Sequence, residues 1–169
     1  LPLALEQMNR SVYESRLVRS WLPTLPGVVD RLQAGGRFID IGCGIGVVPL
    51  AVARAFPAAQ VAGLDVDPRS IDIARAQARE AGLDVQFLGH GIEALPTDAP
   101  WDLITTFDVI HDLPDPPGGL RRIREALAPG GTYLMVEPKA GDSLEQDMAN
   151  PFGRMLRSIS CLHCVPQSL

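Results

Sequence analysis

Three glycines at alternate positions, Gly42, Gly44 and Gly46, interrupt the stretch IDIGCGIGVVPL between two apolar runs. Glycine weakens the interior of a strand or a helix, so such a cluster marks backbone that turns sharply or meets a ligand closely. The run before it contains Asp40. The run after it has a helical pattern with Pro49 in its first turn, where a missing N–H is harmless. A strand–glycine–helix junction offers unpaired N–H groups and partial positive charge. A dinucleotide seats its pyrophosphate at such a junction and favours G-x-G-x-x-G. Here the third glycine falls one residue early, and Val47 takes the last position. Asp40, just ahead of the first glycine, repels a pyrophosphate and suits a ligand that carries an amino group. A tight turn with no ligand is the alternative.

A second acidic position follows. The next apolar run ends in GLDVDP, which places Asp65 near the spacing of about 20 residues expected of an acid that binds ribose hydroxyls. Asp67 competes for that role, but it precedes Pro68, and proline favours the first helical position. Asp67 therefore reads as a helix N-cap. Asp65 is left at the carboxyl end of a strand, where open α/β sheets bind ligands.

The elements that position these residues alternate. RFIDIG, QVAGLDVD, VQFLGH, WDLITTFDVI and TYLMVEP read as five buried strands. Helices are expected over NRSVYESRLVRSWL, GVVDRLQAGG, GVVPLAVARAFP, PRSIDIARAQAREAG and GGLRRIREALAPGG, the last closing in a Pro-Gly-Gly turn. After Pro138, Met148, Phe152, Met155, Leu156 and Ile159 recur at helical spacing, so helix is expected over much of the tail. Strands alternating with helices imply βαβ units and a doubly wound, mostly parallel sheet. We divide the chain into an N-terminal helical segment (1–26), an α/β domain (27–140) and a helical C-terminal segment (141–169).

DIGCGIG, GLDVDP, FLGHGIEALP, WDLITTFDVIHDLPDP and REALAPGGTYLMVEP occur in order. Over roughly Trp21 to Glu137, this set resembles the class I S-adenosylmethionine-dependent methyltransferases, with a Rossmann-like methyltransferase fold. The tail NPFGRMLRSISCLHCVPQSL and the IHD of the fourth strand resemble one subgroup, whose members carry an N-terminal winged-helix-like segment. The resemblance implies S-adenosyl-L-methionine as cofactor and methyl transfer to a hydroxyl or amine of a small molecule. Gly42, Cys43, Gly44 and Gly46 would line the methionine part, and Asp40 would hold its amino group directly or through water. Asp65 would take both ribose hydroxyls, and Val66 would lie against the adenine. The family's third strand ends in Gly-Asp-Ala, whereas this chain has Gly89, His90 and Gly91. A neutral histidine accepts a hydrogen bond through one ring nitrogen, so His90 can meet the adenine amino group; a strand-end histidine facing solvent is the alternative.

Phe107, Asp108 and His111 follow the fourth strand, a segment that lines the sulfonium and the acceptor pocket in the family. Methyl transfer from a sulfonium is an in-line displacement, so positioning and exclusion of water do most of the work. A hydroxyl or amine acceptor also calls for a base. His111 is the candidate because its ordinary pKa lies near neutrality, with Asp112 as the group that orients it. The competing reading makes His111 structural beneath the LPDPP loop.

Other features point elsewhere or nowhere. NPFG at 150–153 is close to a signature of amino-group methyltransferases on nucleic acids, but that signature belongs after the fourth strand and this one follows the fifth. CLHC at 161–164 has metal-ligand spacing, yet a structural zinc site needs four ligands and Cys43 is the one other cysteine. No metal is expected, and the segment reads as a helical wall of the substrate pocket. Arg121, Arg122 and Arg124 read as a solvated helix face. A net charge of −5 makes nucleic acid a poor main partner, and a small-molecule acceptor fits better. No apolar run reaches the roughly 18 residues of a membrane span. The start, LPLALEQMNR, lacks the pattern of a signal peptide, so a cytoplasmic location is expected.

The methyltransferase sheet ordinarily has seven strands and five are found, so the chain reads as truncated towards its C-terminus. The sheet edge thus left open is expected to be covered by a helix, by omitted residues or by another chain, a homodimer included. The rival functions are an S-adenosylmethionine-binding regulator without turnover, an NAD(P)-dependent oxidoreductase and a nucleic-acid methyltransferase.

Overall fold

The computed structural model describes residues 12–139 and 141–165. Five strands form one sheet of order β3-β2-β1-β4-β5: β1 Arg37–Ile41, β2 Gln60–Leu64, β3 Val85–Leu88, β4 Trp101–Phe107 and β5 Leu127–Val136. Every pairing is parallel. The order reverses beside β1, which places the switch point at the end of β1, next to β4. The five expected strands and the doubly wound sheet are therefore present.

Alternation along the strands sorts the core. Phe38 and Leu103 face one side, packed with Leu17, Leu22, Val28, Leu32, Val48 and Val52. Ile39, Ile41 and Ile104 face the other, packed with Ile123 and Ala126. Burial of each such leucine, isoleucine or phenylalanine contributes about 1.5–3 kcal/mol. The first side is covered by α1 (Tyr13–Trp21, wound as a π-helix), α2 (Val28–Gln33) and α3 (Val47–Ala55). A third cluster joins α3 to α4 (Pro68–Ala81) through Cys43, Leu50, Ile71, Ala74 and Phe87. The other side is covered by α5 (Pro116–Ala126).

Local chemistry fixes the ends. Asp67 caps α4 by accepting from the N–H groups of Arg69 and Ser70, as its place before Pro68 implies. Gly82 closes the same helix with φ of 63°. The first residues of the helix expected over NRSVYESRLVRSWL lie outside the described residues, and α1 falls within the rest of it.

Two expectations are revised. The Pro-Gly-Gly segment does not stand apart as a turn after α5, because β5 already begins at Leu127. Trp101 pairs with Leu127 and Leu103 with Thr132, so Pro129, Gly130 and Gly131 are carried as a bulge inside the strand. The C-terminal helix is also broken in two. α6 (Leu144–Ala149) and α7 (Pro151–Ile159) meet at Asn150, whose side chain accepts from the Phe152 N–H and caps α7. Pro151 lacks the N–H that a continuous helix would need. NPFG is thus a helix cap, and a π-helical turn, Ser160–Cys164, follows α7.

Candidate active site

The glycine turn joins β1 to α3. Its first two N–H groups, of Gly42 and Cys43, donate to the Leu64 carbonyl at 2.7 and 3.0 Å, which ties the turn to the end of β2. Gly42 has φ of 70°, and a side chain there would overlap Val109 Cγ2. Gly46 has φ of 86°, and a Cβ would stand 2.8 Å from Phe87 Cζ and 3.0 Å from Ala74 Cβ. These glycines are needed for backbone conformation and for close packing together. Gly44 shares the left-handed backbone. The Cys43 thiol is buried in the α3–α4 core, so this residue offers the turn its backbone.

Asp65 stands at the end of β2 and spans the turn. Its carboxylate accepts from Gly44 N–H and from Asp67 N–H, both at 2.8 Å. Val66 beside it is 74% exposed, an apolar side chain held open to the carboxyl face of the sheet. Gly89 and His90 are exposed after β3, and Gly91 opens a short 3-10 turn, Ile92–Ala94. The strand ends thus bring Asp65, Val66 and His90 to the same end of the sheet.

Asp40 is only 3% exposed. It lies two residues after Phe38 and faces the same side of the sheet, where Thr105 Oγ1 of the adjacent strand donates to it at 2.5 Å. Burial pushes its carboxyl up to about 8, against the lowering effect of Thr105, and nearby Asp65 raises it further. A cation brought to Asp40 would favour the ionised form.

At the end of β4, Phe107 is buried and Asp108 is exposed. Asp108, with φ of 57°, is the one non-glycine residue with left-handed backbone among the described residues. Its N–H donates to the Val136 carbonyl at 2.9 Å. His111 and Asp112 follow in a 3-10 turn, Ile110–Asp112. The His111 side chain is 33% exposed and lies between two carboxylates: Nδ1 meets Glu137 Oε2, and Nε2 lies 3.2 Å from Asp112 Oδ1. Glu137 also accepts from the Val109 and Ile110 N–H groups at 3.2 and 2.9 Å through its other oxygen. It therefore fixes both the loop and the imidazole. Cys164 of the C-terminal segment reaches this place; burial and Asp112 raise its thiol pKa.

Sequence reasoning missed two residues. Glu137, directly after β5, is a second acid on His111 beside Asp112; its signal was an acid at a strand's carboxyl end. Tyr13 of α1 packs on Phe107 with ring centroids 4.7 Å apart. No local pattern marks it.

Residues 32–164 match the family model described as "Methyltransferase domain". The chain belongs to this methyltransferase family. It is 33% identical over 111 residues to the ubiquinone biosynthesis O-methyltransferase of Xanthomonas euvesicatoria pv. vesicatoria, covering 64% of this chain and 46% of that protein. It is 32% identical over 113 residues to the Bordetella avium enzyme of the same name, covering 66% and 44%. The chain thus spans about half the length of the curated relatives it matches. Among solved structures, the YcgJ protein of Bacillus subtilis superposes with a TM-score of 0.61 at 30% identity, covering 68% of this chain and 49% of that one. PKMT2 of Rickettsia typhi, solved with AdoHcy, shares the fold with a TM-score of 0.58 at 22% identity, covering 68% and 24%. The Rossmann-like methyltransferase fold is therefore established for this chain. Among the described residues, no helix is long and apolar enough to cross a membrane.

Proposed function

We propose that this chain carries the catalytic core of an S-adenosylmethionine-dependent O-methyltransferase acting on a small molecule. The observation that carries the reading is the His111–Glu137 pair at the carboxyl end of β4, beside a glycine turn flanked by Asp40 and Asp65. These residues fit the cofactor's chemistry. Asp65 is a carboxylate held at the β2 end for ribose hydroxyls, Val66 is an open apolar face for adenine, and Asp40 is a buried acid suited to an ammonium group. Gly42, Cys43, Gly44 and Gly46 offer backbone to the methionine part, and Gly89, His90 and Gly91 flank the adenine end. The cofactor supplies an activated methyl group on a sulfonium.

The protein's own work is to position, to exclude water and to take a proton. Glu137 accepts the Nδ1 proton of His111, which leaves the Nε2 lone pair as the base for the acceptor hydroxyl. Asp112, 3.2 Å from Nε2, stabilises the imidazolium that results. A hydroxyl is favoured over an amine because the curated relatives are named as O-methyltransferases. We assign residues 1–26 and 141–169 to segments flanking the α/β unit of 27–140, with Cys164 and its neighbours walling the acceptor side. We also propose a cytoplasmic location, supported by three cysteines that are not joined in disulfides. A homodimer covering the β5 edge completes the reading.

Formation of S-adenosylhomocysteine from S-adenosylmethionine, screened over phenol and catechol acceptors, tests the assignment. Acceptor-dependent product is expected. Binding of S-adenosylhomocysteine without turnover of any acceptor would favour a regulator instead.

A further inference from the structure

We propose that His111, Asp112 and Cys164 form a binding site for a thiophilic divalent cation of the zinc class, and that its occupancy takes from His111 the lone pair needed by a base. The second half rests on the methyl-transfer reading above; the first does not.

The three residues come from two places in the fold. His111 and Asp112 lie in the 3-10 turn after β4, and Cys164 ends the π-helical turn after α7. Each offers one ligand atom, and the three atoms all lie within 4.8 Å of one another. His111 Nε2 stands 3.2 Å from Asp112 Oδ1. Tetrahedral zinc with bonds of about 2.0–2.3 Å holds its ligand atoms about 3.3–3.6 Å apart. The nitrogen–oxygen edge is therefore already set, and a shift on the order of 1 Å brings in the sulfur.

Two independent observations point to a cation between these atoms. Asp112 Oδ1 is buried and accepts no hydrogen bond among the described residues, although Nε2 is near. A buried acceptor in that state costs at least about 1–3 kcal/mol, which a metal bond would offset. On the other ring nitrogen, His111 Nδ1 meets Glu137 Oε2. Metal-binding histidines regularly donate their second N–H to a carboxylate, which fixes the tautomer and presents the opposite nitrogen. Glu137 is itself anchored by the Val109 and Ile110 N–H groups, so the imidazole is held in one orientation.

The donor set selects the ion. Imidazole and thiolate suit zinc, whereas magnesium and calcium prefer oxygen alone. Three protein ligands leave a fourth position for water. The CLHC spacing contributes Cys164 only, since Cys161 is exposed and outside the cluster. On binding, the Cys164 S–H bond breaks, its electron pair forms the metal–sulfur bond, and the proton passes to solvent. The Nε2 lone pair enters a metal–nitrogen bond and can no longer accept a proton from a hydroxyl. The ion thus silences the base until it is withdrawn.

Titration of the reduced, metal-free protein with cobalt(II) tests the site without cofactor or acceptor. Cobalt occupies zinc sites and reports thiolate ligation by a near-ultraviolet charge-transfer band. About one equivalent per chain should develop the band, and zinc but not magnesium should displace it. Cys164→Ser should abolish the band and Cys161→Ser should keep it. Glu137→Gln should keep it while weakening affinity about 10- to 100-fold. No band, or a band that survives Cys164→Ser, overturns the site. In turnover, saturating zinc should slow the wild type at least about 100-fold, the scale of losing a general base, with recovery on chelation. Cys164→Ser should be far less sensitive, measured against its own metal-free rate. Zinc binding that leaves turnover unchanged overturns the silencing. Absence of acceptor-dependent product from the metal-free protein would overturn the methyl-transfer reading instead, with the cobalt spectrum still deciding the site.

Discussion

The two halves of the candidate site are built in different ways. The β1–α3–β2 half is mostly backbone: glycines with left-handed φ, N–H groups donating to Leu64, and Asp65 holding the turn. The β4–β5 half is mostly side chains: Tyr13, Asp108, His111 and Glu137, drawn from α1, the β4 loop and the end of β5. The first half is held by hydrogen bonds between the turn and the adjacent end of β2. The second half depends on tertiary packing to bring its members together. On the proposed function, ligand fit belongs to the first and proton handling to the second.

The largest expected effect breaks the second half alone. His111→Ala should lower turnover at least about 100-fold, the usual scale for loss of a general base, with affinity for S-adenosylhomocysteine within about threefold. Steady-state kinetics beside calorimetry reads the split; a matching loss of affinity would mean that His111 is structural.

Next comes the point where the halves touch. Gly42→Ala puts a Cβ into Val109 and forces a left-handed alanine, a strain of about 1–3 kcal/mol. Affinity for S-adenosylhomocysteine should fall about 10- to 100-fold, and shortening Val109 to alanine should recover part of it. No recovery would show that backbone conformation, rather than the contact, sets the cost.

Glu137→Gln keeps an oxygen for the Val109 and Ile110 N–H groups but loses the charge beside His111. Turnover should fall about tenfold, within the range for partners that orient a working imidazole. Unchanged turnover in this variant would return the orienting role to Asp112.

The last effect concerns Asp40 and pH, and is read in stability rather than in turnover. Its folded pKa of about 8 lies above its ordinary value of 3.8, so the folded state holds a proton that the unfolded state has lost. Both states hold the proton below about pH 4, so the shift costs no stability there, and stability falls as pH rises from there towards 8. Asp40→Asn should flatten that slope in denaturant titrations at pH 5 and 8 while weakening cofactor binding. A slope unchanged in the variant would assign the pH dependence elsewhere.

Legibility in the sequence follows the same division. The five strands, the glycine turn, the Asp67 cap and Asp65 at a strand end all rest on residues close in the chain, where steric rules and hydrogen-bond offsets act directly. The bulge at Pro129–Gly131 was not legible, because a Pro-Gly-Gly run reads as a turn until β4 pairs on both sides of it. Asp112 beside His111 was legible as a neighbour in the chain, whereas Glu137, which reaches Nδ1 from 26 positions away, was not.

The sequence by itself determined where backbone had to bend and which acids stood at strand ends, since those depend on residue type and short spacing. Only the tertiary structure decided that Asp40 is buried against Thr105, that Glu137 meets His111, and that Tyr13 packs on Phe107. These pairings come from β1 lying beside β4, β4 beside β5, and α1 folding back on Phe107. Only packing over long chain separations brings such groups within hydrogen-bond reach.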